Sequence, residues 1–289
     1  MHIAVLPPYR AGVAADPAWM TRFALRVEEL GFESLYLPEH VVVVAGYDAD
    51  YPYSSTGRMP LPDDCPMPDP LDLAAFLLAR TERLVLATGV LVAPHHHPLV
   101  LAKRVATLDV LSGGRFRLGV GVGWMREELE ATGIEFESRG RRLDEQLEVM
   151  RAVWAGDDVD HDGEFYSFRH VWSRPQPLSG AVPVHVGGHS KAAARRAGRQ
   201  GDGFQPLGID DDVLVDRLEV MAESARDAGR DVGAIELTLG APLQQADRST
   251  IEARGAQGAT RLLLSSATAD FDQLDDELTA AAERLGLRA

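Results

Sequence analysis

Residues Arg83–Pro94 read "RLVLATGVLVAP", an almost unbroken apolar run. A strand with one wet face alternates apolar and polar residues. A strand buried on both faces does not, and such strands belong to parallel sheets covered by helices. The run follows a helical pattern, "DPLDLAAFLLARTE" (69–82), and precedes another, "LVLAKRVATLDVLSGG" (99–114), which Gly113 and Gly114 bring to a stop. Helix, strand, helix in this rhythm is the βα repeat.

The same beat runs along the chain. On the N-terminal side, "HIAVLP" (2–7) leads into "DPAWMTRFALRVEELG" (16–31), where Asp16 can cap, Pro17 suits the first turn and Gly31 ends the helix; "ESLYLPEH" (33–40) follows. On the C-terminal side, "RFRLGVGVG" (115–123), "VPVHVGG" (182–188), "DGFQPL" (202–207), "IELTLGA" (235–241) and "TRLLLSS" (260–266) read as strands, each ahead of a helical pattern. In one helix, "RGRRLDEQLEVMRAVWAG" (139–156), Leu143, Leu147, Met150 and Trp154 recur at three- and four-residue steps. Eight strands at a mean spacing of about 36 residues predict one α/β domain over residues 1–289, a (β/α)8 TIM barrel. It carries a long insertion after strand 2, Val41–Pro68, and a short hairpin insertion, "GEFYSFRHV" (163–171), before strand 5. The rival is a doubly wound sheet, which seldom needs eight parallel strands and usually has a glycine-rich first turn; here that turn is "LPPYRAG".

Composition narrows the function. With 29 basic and 44 acidic residues the net charge is −15, which does not attract nucleic acid or an anionic membrane. No apolar run reaches transmembrane length, and the N-terminus reads as a first strand rather than a signal peptide. A single cysteine, Cys65, precludes an internal disulfide and fits a cytoplasmic protein; no basic neighbour in "DDCPMPDP" favours its thiolate.

In a TIM barrel the ligand site lies on the loops at the C-terminal ends of the strands. That places Glu39 and His40, the histidines His95, His96 and His97, Gly123 and Trp124, and Gly187–Ser190 on one face, with the long insertion as a lid. "VGGHSKAAARR" ends a strand in two glycines and opens a helix, so its backbone N–H groups can cradle an anion, with Lys191, Arg195, Arg196 and Arg199 nearby; an ordinary βα turn with a basic solvent face is the other reading. In "LGVGVGW", Gly119, Gly121 and Gly123 fall on one strand face, leaving room for another element or for a flat ligand. His185 sits mid-strand as a core residue. His40, at a strand end, is a candidate acid or base. Three consecutive histidines on an extended chain point to alternate sides and do not converge on one ion, so no metal site is expected.

These segments resemble the luciferase-like monooxygenase superfamily of flavin and deazaflavin barrels, most closely its coenzyme F420-dependent oxidoreductase branch. The blocks that carry the resemblance are "GFESLYLPEHV", "YPYSSTGRMPLP", "LATGVLV", "LAKRVATLDVLSGGRFRLGVGVGWMREELEATG", "RGRRLDEQLEVMRAVW" and "VPVHVGGHSKAAARRAGRQGDGFQPL". The resemblance implies a non-prolyl cis peptide at Gly89–Val90 behind the cofactor ring; the strand face of Gly121 and Gly123 leaves room for that ring, and Trp124 either packs on ring or substrate or is a core tryptophan. It implies that Glu39 and His40 lie at the reactive edge, and that Gly187, Gly188, His189 and Ser190 hold the phosphate, where the cation of Lys191 would assist cofactor binding. F420 would exchange a hydride at C5 with a small organic substrate, His40 managing the proton. Lys191, Arg195 and Arg199 could form a cationic track for its polyglutamate tail. FMN with molecular oxygen is the alternative chemistry; a non-catalytic flavin-binding barrel and a metal-dependent barrel hydrolase are more distant ones. Relatives in this superfamily are often homodimers.

Overall fold

Alternate residues along each central strand face two different environments. Ala4, Tyr36, Ala87 and Leu263 form one small buried cluster, while Val5, Leu35, Leu37, Leu86, Leu262 and Leu264 belong to a second, much larger one. That is the signature of strands rolled into a barrel: one set of alternate positions fills the interior and the other meets the surrounding helices. A computed structural model describes residues 1–54 and 56–288; Ser55, inside the expected lid, and Ala289 lie outside the described residues.

The first half of the chain supplies β1 (His2–Leu6), α1 (Pro17–Glu29), β2 (Ser34–Leu37), α2 (Pro70–Leu78), β3 (Val85–Thr88), β4 (Leu91–Val92) and α3 (Pro98–Ser112). Next come β5 (Phe116–Gly121), α4 (Arg126–Ala131), α5 (Arg139–Ala155), β6 (Val159–Asp162) and β7 (Ser167–Val171). The chain ends with β8 (Val184–Gly187), α6 (Lys191–Gln200), β9 (Gly203–Gln205), α7 (Asp211–Asp227), β10 (Glu236–Pro242), α8 (Arg248–Ala256), β11 (Arg261–Ser265) and α9 (Phe271–Leu285). Parallel pairing runs β1, β2, β3, β5, β8, β9, β10, β11 and back to β1, so eight strands close into a TIM barrel. The helix starts follow from their caps: Asp16 and Asp69 each accept two backbone N–H groups, with proline at the next position. Leu143, Leu147, Met150 and Trp154 are all buried, as their spacing predicts. Among the described residues no helix is long and apolar enough to cross a membrane.

Three details differ from the sequence reading. The run at 83–94 is two strands. Leu86 pairs with Phe116 and Leu91 with Val120, so five steps on one side match four on the other, and the extra residue is a bulge at Gly89–Val90. That peptide bond is cis. The hairpin insertion starts earlier than "GEFYSFRHV": β6 is the acidic "VDHD", and "GEFY" is the turn. The short helix α4 was missed altogether, because six residues carry too little periodicity to announce it.

At the N-terminal end of the barrel the interior is ionic. Arg261, fully buried, meets Glu33 at 3.1 Å and Glu236 at 2.6 Å, and Arg117 meets Glu33 at 2.8 Å. His185 lies beside them, 3.5 Å from Glu236, with no hydrogen-bond partner for Nδ1. It is the core residue its mid-strand position predicts.

Candidate active site

A cavity of about 690 Å³ opens at the C-terminal ends of the strands, and all eight barrel strands or the loops that follow them contribute to its lining. Of the residues expected to act in catalysis or to bind the cofactor, only Lys191 fails to line it. Lys191 turns instead to Asp216 on α7, 2.9 Å away. Of the other two residues of the expected cationic track, Arg199 lies 3.8 Å from Asp144, while Arg195 is exposed with no ion pair among the described residues; Arg196, beside them, is buried against Asp144. The reason is helix packing, since α6 lies between α5 and α7 and both offer aspartates to its basic side.

His40 and Glu128 form the polar centre. Nδ1 of His40 is 2.8 Å from Oε2 of Glu128, whose side chain is 2% exposed. The other carboxylate oxygen, Oε1, accepts the backbone N–H groups of Val41 at 2.7 Å and Val42 at 3.3 Å, where the lid begins. A carboxylate facing Nδ1 fixes the tautomer: Nδ1 donates, and Nε2 is left with its lone pair toward the cavity that His40 lines. Glu128 was not singled out in the sequence. Its signal was present, an acidic pair in the first turn of α4, but nothing in "WMREELEATG" tells which carboxylate turns inward. Its neighbour Glu127 faces the lid and accepts the N–H groups of Asp48 and Ala49.

Glu39 lines the cavity, yet both its oxygens are taken. Oε2 accepts the N–H of Val92 at 2.5 Å, and Oε1 meets Nε2 of His96 at 2.8 Å. The three histidines, expected at the mouth of the site, do not line the cavity, because a 3-10 turn at Ala93–His95 carries them behind its wall. They diverge: His95 Nδ1 meets Thr132, His96 meets Glu39, and His97 caps α3. Burial holds His95 below its ordinary pKa although Glu128 opposes this. Among the described residues no group of three metal-binding side chains converges.

The bulge aims Val90 into the barrel mouth, where two glycines make room for it. A Cβ on Gly187 would come within 2.4 Å of Val90 Cγ1, and one on Gly121 within 2.7 Å of Cγ2. The glycine face of β5 therefore accommodates a neighbouring strand rather than lying empty: Gly119 abuts the Thr88 carbonyl, and Gly121 abuts Val90. Gln205, at the end of β9, is buried on the cavity wall with neither amide atom hydrogen-bonded. Its signal was a lone polar residue at the end of an apolar strand.

Gly187–Ser190 forms the turn into α6. Gly188 takes a φ of +105°, open to glycine, and the Ser190 hydroxyl accepts the N–H of Ala193. Among the described residues no acceptor takes the N–H of His189, Ser190, Lys191 or Ala192. Over the cavity the lid lays a row of rings set edge to face. His40, Tyr47 and Tyr51 surround Trp124 at 6.1, 5.2 and 5.0 Å; Tyr51 meets Tyr53 at 5.4 Å, and Tyr53 meets His189 at 5.1 Å. Burial pushes the Tyr53 hydroxyl up, and burial with the Tyr9 neighbour pushes Tyr51 to about 12. Burial and Arg217 keep His189 down.

The profile of the luciferase-like monooxygenase family matches residues 1–286. The chain belongs to that family. This luciferase-like protein is 37% identical over 227 residues to an uncharacterised protein of Mycobacterium tuberculosis, covering 76% of this chain and 79% of the relative. It is 40% identical over 179 residues to the F420-dependent glucose-6-phosphate dehydrogenase of Nocardia farcinica, covering 58% of this chain and 52% of that one. Two solved structures share the fold of this luciferase-like chain. An F420-dependent secondary alcohol dehydrogenase in complex with an F420–acetone adduct superposes with a TM-score of 0.78 at 18% identity, over 100% of this chain and 99% of its own. The FMN-bound oxygenating constituent of a Pseudomonas putida Baeyer–Villiger monooxygenase gives 0.66 at 20%, over 90% and 71%.

Proposed function

We propose that this protein is an F420-dependent oxidoreductase that exchanges a hydride between the deazaflavin C5 and a small organic substrate. The observation that carries the reading is the 40% identity to an F420-dependent dehydrogenase across more than half of this chain; the likeness to the FMN protein is one of fold. The cavity suits such a group. It has the volume of a cofactor-sized site, an apolar shelf at Val90, and an orphaned Gln205 amide for a polar ring edge. The turn Gly187–Ser190, with its unpaired N–H groups, would hold a phosphate. When bound, F420 supplies a two-electron hydride donor or acceptor. The chain manages the proton: Nε2 of His40 takes it from, or returns it to, the substrate oxygen, and Glu128 steadies the imidazolium. The aromatic lid excludes water.

Parallel fluorescence titrations with F420 and FMN test the assignment. The expected result is micromolar or tighter F420 binding, followed by oxidation of the reduced cofactor by carbonyl compounds or reduction of the oxidised one by alcohols. Micromolar FMN binding without F420 binding would overturn it and install the second reading, an FMN-dependent monooxygenase, which the FMN-bound neighbour's shared fold favours.

A further inference from the structure

Leaving histidines aside, two cations line the cavity, Arg254 and Arg10, and their situations are opposite. Arg254 is neutralised: Nη1 lies 2.8 Å from Asp211 and donates at 2.8 Å to Oε1 of the Gln257 side chain. Arg10 has no carboxylate partner among the described residues of a chain that carries an excess of fifteen acidic groups. Its Nε donates to the Tyr9 hydroxyl at 3.2 Å, and the Tyr51 hydroxyl is its other polar neighbour, so two phenols face a group with five N–H donors. Partial burial works against its charge, and the phenols of Tyr9 and Tyr51 more than offset that. The arm that carries Arg10 is fixed from behind. The Cys65 thiol donates to the Tyr9 carbonyl at 3.4 Å, and Gly12, at φ +77°, packs its turn against Pro66.

A free guanidinium edge with two phenols beside it matches a planar or tetrahedral oxyanion. Tyr51 stays protonated at any ordinary pH and so can donate. The cavity lining also includes the apolar Leu6, Met59, Leu207 and Ile209. Round the closed barrel β1 and β8 are four strands apart in either direction, so Arg10 and the Gly187–Ser190 turn face each other across the mouth. One anion cannot use both.

We propose that the β1 side of the cavity is an oxyanion subsite, and that the substrate is an apolar molecule ending in a carboxylate or phosphate held by Arg10, Tyr9 and Tyr51. The proposal rests on taking this cavity as the catalytic one, and its test does not need the cofactor assignment to hold. Hexanoate, hexyl phosphate and 1-hexanol are titrated by ligand-observed NMR against the wild type, Arg10→Ala and Arg10→Lys, and each protein is titrated separately with F420. At least one anion should bind the wild type about tenfold or more tightly than hexanol. Arg10→Ala should erase that preference while leaving hexanol unchanged, Arg10→Lys should keep part of it, and F420 affinity should stay within about twofold. Whichever anion binds more tightly identifies the head group. Equal binding of anions and alcohol, no measurable binding of either anion, or an Arg10→Ala variant that keeps the preference would overturn the subsite. So would an equal loss of F420 affinity in Arg10→Ala, which would make Arg10 a contact for the cofactor's own anionic tail. Failure of every protein to bind F420 would sink the cofactor assignment and leave the probe result standing.

Discussion

Oε2 of Glu128 stands 2.8 Å from Nδ1 of His40, while Oε1 of the same carboxylate holds the first two backbone N–H groups of the lid. One buried side chain thus sets the proton on a cavity histidine and pins the lid. Two substitutions separate these tasks. Glu128→Gln keeps an oxygen for Val41 and Val42 but presents an amide donor to His40, which reverses the tautomer and places a proton on Nε2. Turnover should fall about 10²-fold, with the lid as resistant to trypsin as before. Glu128→Ala should lose both turnover and resistance. Equal trypsin sensitivity in the two variants would refute the division.

Val90 is clasped between two glycines, so its shape and theirs are interdependent. Gly187→Ala brings a methyl group within 2.4 Å of Val90 Cγ1, a contact that overpacking data put at about 1–3 kcal/mol. Cofactor affinity should drop about tenfold or more, and Val90→Ala in the same chain should restore most of it. A double variant no better than Gly187→Ala alone would mean that the clasp is not what shapes the shelf. Tight binding measured by fluorescence reads both outcomes.

Much of this was legible in the sequence, and the gaps have physical causes. Strands buried on both faces and helices with three- and four-residue spacing declare themselves through composition, so the barrel and its eight strands were readable. The site face followed from strand direction. What sequence could not show was which of two adjacent polar side chains turns inward. Glu127 and Glu128 are chemically alike, and only the docking of α4 against the lid distinguishes them. The same holds for Lys191 and Arg196, whose partners are aspartates on helices distant in sequence. The conspicuous histidines misled because a single 3-10 turn carried them off the cavity wall.

The ionic end of the barrel sets a two-step acid response. Burial, with Arg117 and Arg261 close by, holds His185 well below its ordinary value. The unfolded chain therefore takes up the proton first, and stability is lost as pH falls below about 6.5. Burial alone would raise the Glu33 carboxyl, but Arg117 and Arg261 outweigh it and hold the group at about 2. Its contribution is present above the ordinary carboxylate range and is lost as pH falls from about 4.5 toward 2. Thermal melts at pH 7 and pH 5 should therefore differ less in His185→Gln than in the wild type. An identical difference in both would remove His185 as the source of the first step.

Trp124 is the hub of the lid, with His40, Tyr47 and Tyr51 edge-on around it. Edge-to-face contacts of this kind contribute roughly 0.5–1.5 kcal/mol each, so their joint loss should raise the open population of the lid by one to three orders of magnitude. The lid segment 41–68 contains one trypsin site, after Arg58, whose guanidinium donates to the Tyr47 carbonyl in the closed arrangement. Trp124→Ala should therefore speed cleavage at Arg58 at least tenfold, with Trp124→Phe intermediate, and the KM for substrate should rise in the same order. The global melting temperature should change little, because the residues lost to packing lie above the barrel rather than within it. Cleavage at Arg58 that proceeds equally fast in wild type and Trp124→Ala would show that the hydrogen bonds to Glu127 and Glu128, and not the rings, keep the lid shut.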